Sequence, residues 1–384
     1  MKRVLAMVLA VVLIFGLVAC GTKDNGNTAS PNLSASKPVE DSSSGSEGGE
    51  KKEYSLVVSG LTGSLFMLPI YVGELWGSYE EAGLTFERVD FTGGPVQMEA
   101  MSSWDIALTG VGGVLSGVVG WDGYVVGAMH SDVGSQQLFA RTNSNIVAAG
   151  TGNNRYSNAI YGDAESWKQA TVLCNTGTVK EYVLLKVLEG FGLTRDDITI
   201  MSMDNATTYS AFLAGEGDVA MTSMTDTVTL LTQPEEFTAV ATARDVGAGL
   251  MCNFVANPDS YEDAETREAM KVFLSVYFDV LEWLAAEENF DEAVSYLMDM
   301  KEEDGSAVSL EVAQAFLKND ELYSLESVVE MMKPDANGSC AMEESLVEVL
   351  RFFINDVGSY AEGDDEIFLG HVDGSMLEEI LAER

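Results

Sequence analysis

Histidine, cysteine and basic residues are scarce in this 384-residue chain, and each shortage excludes a class of function. Two histidines and four cysteines, with no Cys-x-x-Cys pair, rule out most zinc-site patterns, so no metal or other cofactor is expected. Lysine and arginine number 21 against 61 aspartates and glutamates, a formal net charge of −40. Because nucleic-acid binding needs a basic surface against the phosphates, no nucleic acid is expected as a partner.

Apolar residues, by contrast, are plentiful, since they make up 46% of the chain and aromatic residues make up 9%. A chain of this composition can bury large cores and is not a disordered acidic tail. Its length predicts two domains, or one domain with two lobes.

Residues 1–20 have the layout of a secretory signal. Lys2 and Arg3 precede an apolar run, Val4 to Ala19, that is shorter than the roughly 20 residues a membrane-spanning helix needs. The segment Leu17-Val18-Ala19-Cys20-Gly21 resembles the lipobox of bacterial lipoproteins, in which the chain is cut before the cysteine and its sulfur is lipidated. The resemblance implies a lipid anchor at Cys20, with an uncleaved N-terminal anchor as the alternative. Both interpretations place the rest of the chain outside the cytoplasmic membrane.

Residues 21–53 predict a flexible tether. They are rich in Gly, Ser, Asn and Pro and contain one isolated leucine, so they cannot bury an apolar face. A tether of about 33 residues has an r.m.s. reach on the order of 30 Å. It suits a binding protein that works beside a membrane partner, and it would suit a tethered enzyme as well.

After residue 53 the sequence repeats one unit of strand, turn, helix and strand. The first copy begins with the strand Leu56–Gly60 and closes with Asp105–Gly110. The second begins with Thr171–Cys174 and closes with Asp218–Ser223, and each copy carries Gly-Leu-Thr between these ends, at 83–85 and 192–194. Alternating strands and helices of these lengths predict two parallel α/β units.

Each copy places a turn of small and hydroxyl-bearing residues directly after its first strand, where the next helix begins. Backbone N–H groups and the helix dipole converge there, so each turn is either an ordinary helix cap or part of a ligand site. Ligands of open α/β sheets bind beyond the carboxyl ends of the strands, and finding the turn twice favours the site. Two such lobes would form a cleft that is polar through its backbone rather than through charged side chains.

Strand-like segments between and after the copies predict two crossings between the lobes, which would form a hinge that closes around a ligand. One is Gln136–Arg141; the others are Phe237–Thr242 and Leu250–Ala256, which flank Gly247-Ala248-Gly249. From about residue 260 onward the pattern is helical. The helices predicted there are Thr266–Glu287, Phe290–Met300, Leu310–Asn319, Met342–Asn355 and Ser375–Arg384.

Three stretches, taken in order, resemble the bacterial solute-binding lipoproteins of the nitrate/sulfonate/taurine ABC-transporter group, whose relatives also bind bicarbonate and thiamine-pyrimidine precursors. They are Leu68–Leu84, Asn175–Ile198 and Ala211–Ala220, within a resemblance that covers about residues 54–300. The Trp-x-Pro that this family often has after its second Asp-x-Ala strand is replaced by Met224-Thr225-Asp226.

The resemblance implies an α/β, two-lobed periplasmic-binding-protein-like fold of type II, with a helical C-terminal extension. Lobe 1 would span 54–138, lobe 2 would span 139–246, and residues 247–384 would return to lobe 1 and form the C-terminal helices. The implied function is the extracytoplasmic solute-binding component of an ABC importer. Such a protein is a monomer and not an enzyme, and it delivers a small polar organic molecule to the permease subunits at the membrane.

Candidate ligand contacts follow from the resemblance by position. In the first lobe they are Thr62, Gly63, Ser64, Phe66, Thr109, Gly110 and Val111. The crossing contributes Gln136. In the second lobe they are Asn175, Thr176, Gly177, Thr178, Glu181, Thr222, Ser223 and Asp226.

Two acidic residues outside that set, Asp105 and Asp218, precede their strands at the end away from the cleft and are interpreted as structural.

Lys180 is the one base of residues 54–250 near a proposed contact, where it either faces solvent or meets the ligand. Glu181 and Asp226 could supply acidic groups. A compact anion could still bind through helix N-termini. The expected ligand is a sulfonate- or taurine-like, amine-bearing or pyrimidine-precursor-like molecule. Within this range we hypothesise a ligand that is zwitterionic or carries an amine, rather than a bare anion such as nitrate.

An enzyme of the same fold and a lipid-anchored sensor without a transporter are the rival interpretations. His130 ends a strand-like run and His371 lies near the C-terminus, so neither is placed to pair with a Cys or Ser nucleophile.

Cys174 and Cys252 lie in apolar strand-like runs and are interpreted as buried thiols. Whether a disulfide forms among these two and Cys340 is left open by the sequence.

Overall fold

The computed structural model describes residues 52–384 of the chain. The predicted signal peptide, nearly all of the predicted tether and the candidate lipidation site Cys20 lie outside the described residues. Within residues 52–384, no helix combines the length and the apolar character needed to cross a bilayer.

The strands form two mixed sheets, one for each lobe. The strands are β1 (Tyr54–Leu61), β2 (Leu84–Phe91), β3 (Ile106–Thr109), β4 (Tyr124–Ser131), β5 (Gln137–Arg141), β6 (Thr171–Cys174), β7 (Thr199–Ser202), β8 (Val219–Thr222), β9 (Phe237–Thr242), β10 (Met251–Ala256) and β11 (Glu321–Leu322). The first sheet has the order β11-β4-β10-β3-β1-β2, and the second has the order β7-β6-β8-β5-β9. The strands predicted from the sequence agree with these bounds to within two residues.

The predicted duplication is visible in the strand order. In each copy the first strand lies between the second and the third, all three parallel, as β2-β1-β3 in one sheet and β7-β6-β8 in the other. The next strand outward is antiparallel in both sheets, and in each case it arrives from the other lobe: β10 beside β3 and β5 beside β8. Both turns that follow the first strands therefore lie at the carboxyl ends of their sheets.

The helices surround the two sheets. They are α1 (Leu68–Trp76), α2 (Ser78–Ala82), α3 (Gly94–Glu99), α4 (Val111–Trp121), α5 (Asn145–Ala148), α6 (Ala164–Trp167), α7 (Val179–Gly190), α8 (Asn205–Leu213), α9 (Met224–Leu231), α10 (Pro258–Glu262), α11 (Ala264–Ala285), α12 (Phe290–Glu303), α13 (Leu310–Asn319), α14 (Leu325–Met332), α15 (Ala341–Phe352), α16 (Asp364–Phe368) and α17 (Ser375–Glu383). The sequence pattern of Pro69–Glu81 predicts one helix, and this prediction is wrong, since Gly77 adopts a left-handed conformation, φ 71°, and separates α1 from α2.

Two chain crossings join the lobes, as the sequence predicts. The chain leaves β4 and enters β5 through residues 132–136, and it returns from β9 to β10 through residues 243–250. Hydrogen bonds hold the crossings together at both ends: the Ala243 N–H donates to the Gln136 carbonyl over 2.9 Å, and the Asp132 N–H donates to the Leu250 carbonyl over 2.8 Å. The two-lobed fold with a two-crossing hinge is therefore confirmed.

The C-terminal helices belong to the core of the first lobe. The 22-residue helix α11 buries one face against the first sheet, with apolar residues at helical spacing. The Tyr277 ring packs edge-on against Phe254 of β10 at a centroid distance of 4.9 Å. The hydroxyl of Tyr277 donates to the Phe66 carbonyl over 2.8 Å, so α11 also fixes the segment that follows β1.

The structural interpretation of Asp105 and Asp218 is confirmed. The Val57 N–H of β1 donates to Asp105 Oδ2 over 2.7 Å, and the Thr171 N–H of β6 donates to Asp218 Oδ2 over 2.8 Å. Each aspartate thus joins the start of the third strand of its copy to the first strand, away from the turns.

The three cysteines of residues 52–384 are buried and free, so no disulfide joins them. The prediction of buried thiols at Cys174 and Cys252 is confirmed. Desolvation raises the pKa of Cys174 to about 12, which leaves this side chain an uncharged core residue at neutral pH.

Candidate ligand site between the lobes

The turn of the first copy, Thr62–Ser64, is held by the end of α12. Gly63 has φ 73°, a conformation that favours glycine. Its N–H donates to Asp304 Oδ2 over 3.1 Å, and its carbonyl accepts a hydrogen bond from the buried Lys301 ammonium. The N–H groups of Thr62 and Ser64 donate to backbone carbonyls. None of these three N–H groups is therefore free.

The turn of the second copy, Asn175–Thr178, is held by its own helix. Gly177 has the same φ of 73°, and its N–H donates to Glu181 Oε2 over 2.8 Å. Glu181 is 2% exposed, and its other oxygen pairs with Arg195. The Thr178 hydroxyl caps α7 by accepting from the Lys180 N–H.

The two turns together correct the prediction of a cleft that is polar through free backbone groups. In both copies a carboxylate of the chain itself, Asp304 or Glu181, accepts the N–H of the turn glycine. A helix N-terminus attracts carboxylates as readily as external anions. This explains why side chains of the protein, rather than a ligand, accept the glycine N–H groups. The carboxylate of Glu181 is therefore used within its own lobe.

Charged side chains instead gather at the first crossing, around Asp132. The two oxygens of this carboxylate accept hydrogen bonds from neighbours in the crossing: Oδ1 from the Ser135 hydroxyl, and Oδ2 from Gln136 Nε2 over 2.8 Å. Gln136, one of the predicted contacts, is 4% exposed. Asp132 directly follows β4, at the carboxyl end of the first sheet.

Lys180 approaches the same carboxylate from the second lobe. Its side chain is buried, so the alternative that it faces solvent is wrong. The ammonium donates to Asn205 Oδ1 over 2.8 Å. Burial lowers the pKa of Lys180, and the charges of Asp132 and of Asp226 on α9 oppose that shift. Burial in turn raises the pKa of Asp226, an effect that the Lys180 charge opposes.

A second carboxylate, Asp320, reaches the cluster from the C-terminal extension. It directly precedes β11, which pairs with β4 through Glu321 opposite Ser131. Asp320 is 8% exposed, and burial together with the nearby Asp132 charge raises its pKa well above the usual range for aspartate. Long-range packing alone places this residue, so no local sequence pattern indicates it.

His130, the last residue but one of β4, forms an aromatic wall of the cluster together with Phe66. The two ring centroids are 6.1 Å apart. Burial lowers the pKa of His130 against the opposing charge of Asp132, so the imidazole is neutral at pH 7. Its Nδ1 lies 3.4 Å from the Ser131 carbonyl, and in the tautomer that donates to this carbonyl Nε2 is an acceptor.

Several buried side-chain atoms of the cluster have no hydrogen-bond partner among the described residues. They are Gln136 Oε1, Gln137 Oε1, His130 Nε2 and Asp320 Oδ1. Buried polar atoms are nearly always satisfied in folded proteins, so this group marks the cluster as a place where a polar ligand fits.

The other predicted contacts lie in three different settings. Thr62 and Gly63 line a small cavity with Tyr71, Arg88 and Glu303, beneath α12. The Thr109 hydroxyl is buried against the helix pair α3 and α4, since a Cβ at Gly113 would lie 2.0 Å from it. Gly110 caps α4, and Val111 begins it.

The second-lobe contacts also bond mainly within the protein. The Thr222 and Thr227 hydroxyls are 2.8 Å apart, and the Thr227 hydroxyl donates to the Ser135 carbonyl over 2.7 Å. This chain ties the end of β8 to the first crossing. Thr176 bonds to Ser202 over 2.5 Å, and Asn175 Nδ2 donates to Asn205 Oδ1 over 3.5 Å, beside the Lys180 ammonium. Ser223 caps α9 without a side-chain hydrogen bond.

No family model matches the chain. The "Putative ABC transporter periplasmic binding protein" of Brachyspira hyodysenteriae is 21% identical over 264 residues, which are 67% of this chain and 72% of that protein. The crystal structure of the periplasmic aliphatic sulphonate binding protein SsuA from Escherichia coli aligns with a TM-score of 0.63 at 17% identity, covering 82% of this chain and 97% of that one.

A second solved structure is also similar to most of this chain at low sequence identity. The periplasmic nitrate-binding protein NrtA from Synechocystis PCC 6803 aligns with a TM-score of 0.61 at 12% identity, covering 86% of this chain and 89% of that one. Likeness at these identities shows the fold. The chain therefore has the two-lobed periplasmic-binding-protein fold that the sequence resemblance implied.

Proposed function

We propose that this chain is the extracytoplasmic solute-binding component of an ABC importer. It captures a small polar organic molecule between its lobes and delivers it to the permease subunits. The observation that carries this proposal is the buried polar cluster around Asp132, which lies at the crossing between two lobes of a periplasmic-binding-protein fold. The names of the similar proteins, which concern sulphonate, nitrate and ABC transport, support it.

Contacts between the lobes support capture in a closed cleft. On one side, the Lys186 ammonium of α7 pairs with Glu348 of α15 over 2.7 Å, and the Tyr182 hydroxyl donates to the same carboxylate over 3.2 Å. On another side, α13 packs against α9. These contacts join the second lobe to helices of the C-terminal extension, and opening the hinge would break them.

The proposed ligand contacts divide by their distance from the cluster. Phe66, Gln136 and Asp226 lie at it or face it, and Lys180, His130, Asp132 and Asp320 are added to them here. Asn175, Thr176, Thr178, Ser223 and Gly110 remain proposed contacts at the rim of the cleft. Thr62, Gly63, Ser64, Thr109, Val111, Gly177, Glu181 and Thr222 would instead shape the segments that carry the contacts.

We infer membrane attachment through a lipid on Cys20, with residues 21–53 as the tether that lets a monomeric binding domain reach its permease. The sequence resemblance at residues 17–21 supports this anchor. The similar proteins are named for binding, which favours binding over catalysis.

The test begins with native mass spectrometry of the protein purified from host membranes, which is expected to show an additional mass from a bound solute. A thermal-shift panel of sulfonates, amines, amino acids and pyrimidines follows. A ligand that binds only the folded state at 100 times its Kd stabilises it by about 2.7 kcal/mol. Chemical conversion of the bound molecule, or binding of none of these classes with no co-purified solute, would contradict the proposal.

A further inference from the structure

We propose that the cluster around Asp132 is a subsite for a primary amine. The ammonium group would lie between the carboxylates of Asp132 and Asp320 and donate hydrogen bonds to Gln136 Oε1 and His130 Nε2. This inference rests on the proposed function and deepens it, since it names the chemical group that the cleft recognises.

The charge of the cluster favours a cation. Asp132 directly follows β4 and Asp320 directly precedes β11, and these strands pair through Ser131 and Glu321, which brings the two carboxyl-bearing residues together. Asp320 is 8% exposed, and the Asp132 charge raises its pKa. Two carboxylates in a buried site repel each other unless a proton or a cation compensates them. Lys180 offsets part of the charge of Asp132 and Asp226, and Arg244 offsets part of the charge of Asp320. Three carboxylates thus face two bases, so a ligand cation would compensate the remaining negative charge.

The unpartnered atoms of the cluster favour a donor. Gln136 Oε1, His130 Nε2 and Asp320 Oδ1 are buried and lack partners among the described residues. Gln136 Oε1 is an acceptor, as are His130 Nε2 when the proton is on Nδ1 and Asp320 Oδ1 when the carboxyl group is ionised. An ammonium with N–H groups supplies the donors that such a set requires. A trimethylammonium group carries the same charge but has no N–H to donate, so it fits the site less well.

The two turns disfavour a ligand of the opposite charge. A sulfonate or nitrate needs convergent donors, and the turns at the two helix starts are the usual source of them. Here the N–H groups of Gly63 and Gly177 already donate to Asp304 and Glu181. These two N–H groups are therefore not free to bind an external oxyanion.

The aromatic wall completes the subsite. Phe66 is 4% exposed and tilts its ring toward His130 at a centroid distance of 6.1 Å. An aromatic ring beside His130 suits the carbon atoms next to an ammonium and can itself attract a cation. Asp320 comes from the C-terminal extension, beyond residue 300, so a segment outside the sequence resemblance would contribute directly to ligand selection.

Isothermal titration calorimetry on the full chain tests the inference. The probes are ethanolamine, putrescine and taurine as primary amines, choline as the trimethylated counterpart of ethanolamine, and ethanesulfonate and nitrate as anions. We expect at least one primary amine to bind, choline to bind at least tenfold more weakly than ethanolamine, and the two anions not to bind. Mass spectrometry of the protein from its host is expected to show a solute that contains a primary amine.

The variant Asp320→Asn is expected to weaken binding of the best amine at least tenfold. Removing a buried charge does not threaten folding, and the melting curve of the variant verifies this. The matched control is Glu321→Gln, the adjacent carboxylate, whose side chain is 65% exposed and lies 3.9 Å from Arg244. This variant should change the affinity less than twofold.

The possible results separate the inference from the proposed function. Binding of ethanesulfonate or nitrate in preference to every amine, or an equal loss of affinity in both variants, overturns the amine subsite and leaves solute binding intact. A co-purified solute without an amine does the same. If the protein binds none of the probes and carries no solute from its host, both the subsite and the proposed function fail.

Discussion

The two copies of the repeated unit keep the same turn in place by different means. In the first lobe, Gly63 donates to Asp304, a residue 241 positions later in the chain. In the second lobe, Gly177 donates to Glu181, four positions later and within the helix that the turn begins. One turn therefore depends on the folding of the C-terminal helices, whereas the other is complete within its own lobe.

The structural aspartates show the same difference. Asp218 bonds to the backbone of its own copy, while Asp105 also accepts a hydrogen bond from the Ser260 hydroxyl over 2.6 Å. The first lobe has thus incorporated residues of the C-terminal extension at the amino ends of its strands and at the turn beyond β1. The lesson is that duplicated units keep their geometry while the partners that stabilise it diverge.

The acidic C-terminal region contains both exposed carboxylates and carboxylates that stabilise the first lobe. Residues 251–384 hold 33 of the acidic residues and seven of the basic ones, a pattern typical of solvated helix faces. Most of these carboxylates are exposed, yet some point into the protein: Asp304 at a turn, Asp320 at the proposed subsite, and Glu343, which accepts from the Gly370 N–H. Net charge alone could not distinguish these three from the exposed carboxylates.

The largest loss of stability is expected for Glu181→Ala, which removes the acceptor of the Gly177 N–H in the second lobe. The change removes a buried, charged acceptor from the Gly177 N–H and from Arg195, and charged hydrogen bonds of this kind contribute about 1.5–3 kcal/mol. We expect urea denaturation to show a loss of about 2–3 kcal/mol. The control Glu189→Ala removes an exposed carboxylate of the same helix and should cost about 1 kcal/mol or less. Equal losses in the two variants would contradict the role of Glu181.

A smaller loss of stability is expected for Asp304→Ala, which removes the acceptor of the Gly63 N–H in the first lobe. Asp304 is half-buried, so its hydrogen bond to Gly63 contributes about 1–2 kcal/mol to the free energy of unfolding. The control is Glu302→Ala, an exposed neighbour on α12 that should change stability by about 0.5 kcal/mol at most.

The double variant Glu181→Ala, Asp304→Ala sharpens the comparison. Because the two turns share no partner, the separate losses should add to within about 0.5 kcal/mol. A coupling well beyond that value would show that the two lobes do not stabilise their turns independently.

The local pattern of the sequence was sufficient for much of this fold. The repeated Gly-Leu-Thr and Asp-x-Ala segments gave the two units, and apolar runs gave the strands and both crossings to within two residues. These signals are short-range, because strand and helix periodicity are set by neighbouring residues. For the same reason the structural roles of Asp105 and Asp218 followed from their position before a strand.

The candidate site was harder to predict because its residues come together over long distances. Nothing local indicates that Asp304 meets Gly63 or that Asp320 approaches Asp132. Lys180 lies in the first turn of a helix, where a lysine is ordinarily solvated, and burial of such a side chain is rare. One signal was available: His130-Ser131-Asp132 stands at the carboxyl end of a strand, the edge at which ligands of such sheets bind.

The smallest expected effect concerns Asp320, which reaches the first lobe from the C-terminal extension as Asp304 does. Burial and the Asp132 charge raise the pKa of Asp320 in the folded state, while Arg244 opposes the shift. The stability contributed by its protonated form is therefore complete below the ordinary aspartate pKa and is lost as the pH rises through the folded pKa.

In the absence of ligand, Asp320→Asn should stabilise the protein by about 1 kcal/mol at pH 8 and leave it nearly unchanged at pH 4. Melting temperatures recorded from pH 4 to 8 measure this, with Glu321→Gln as the control that should show no such trend. A stabilisation that is the same at both pH values would mean that burial beside Asp132 does not perturb Asp320, and would contradict the place of Asp320 in the cluster.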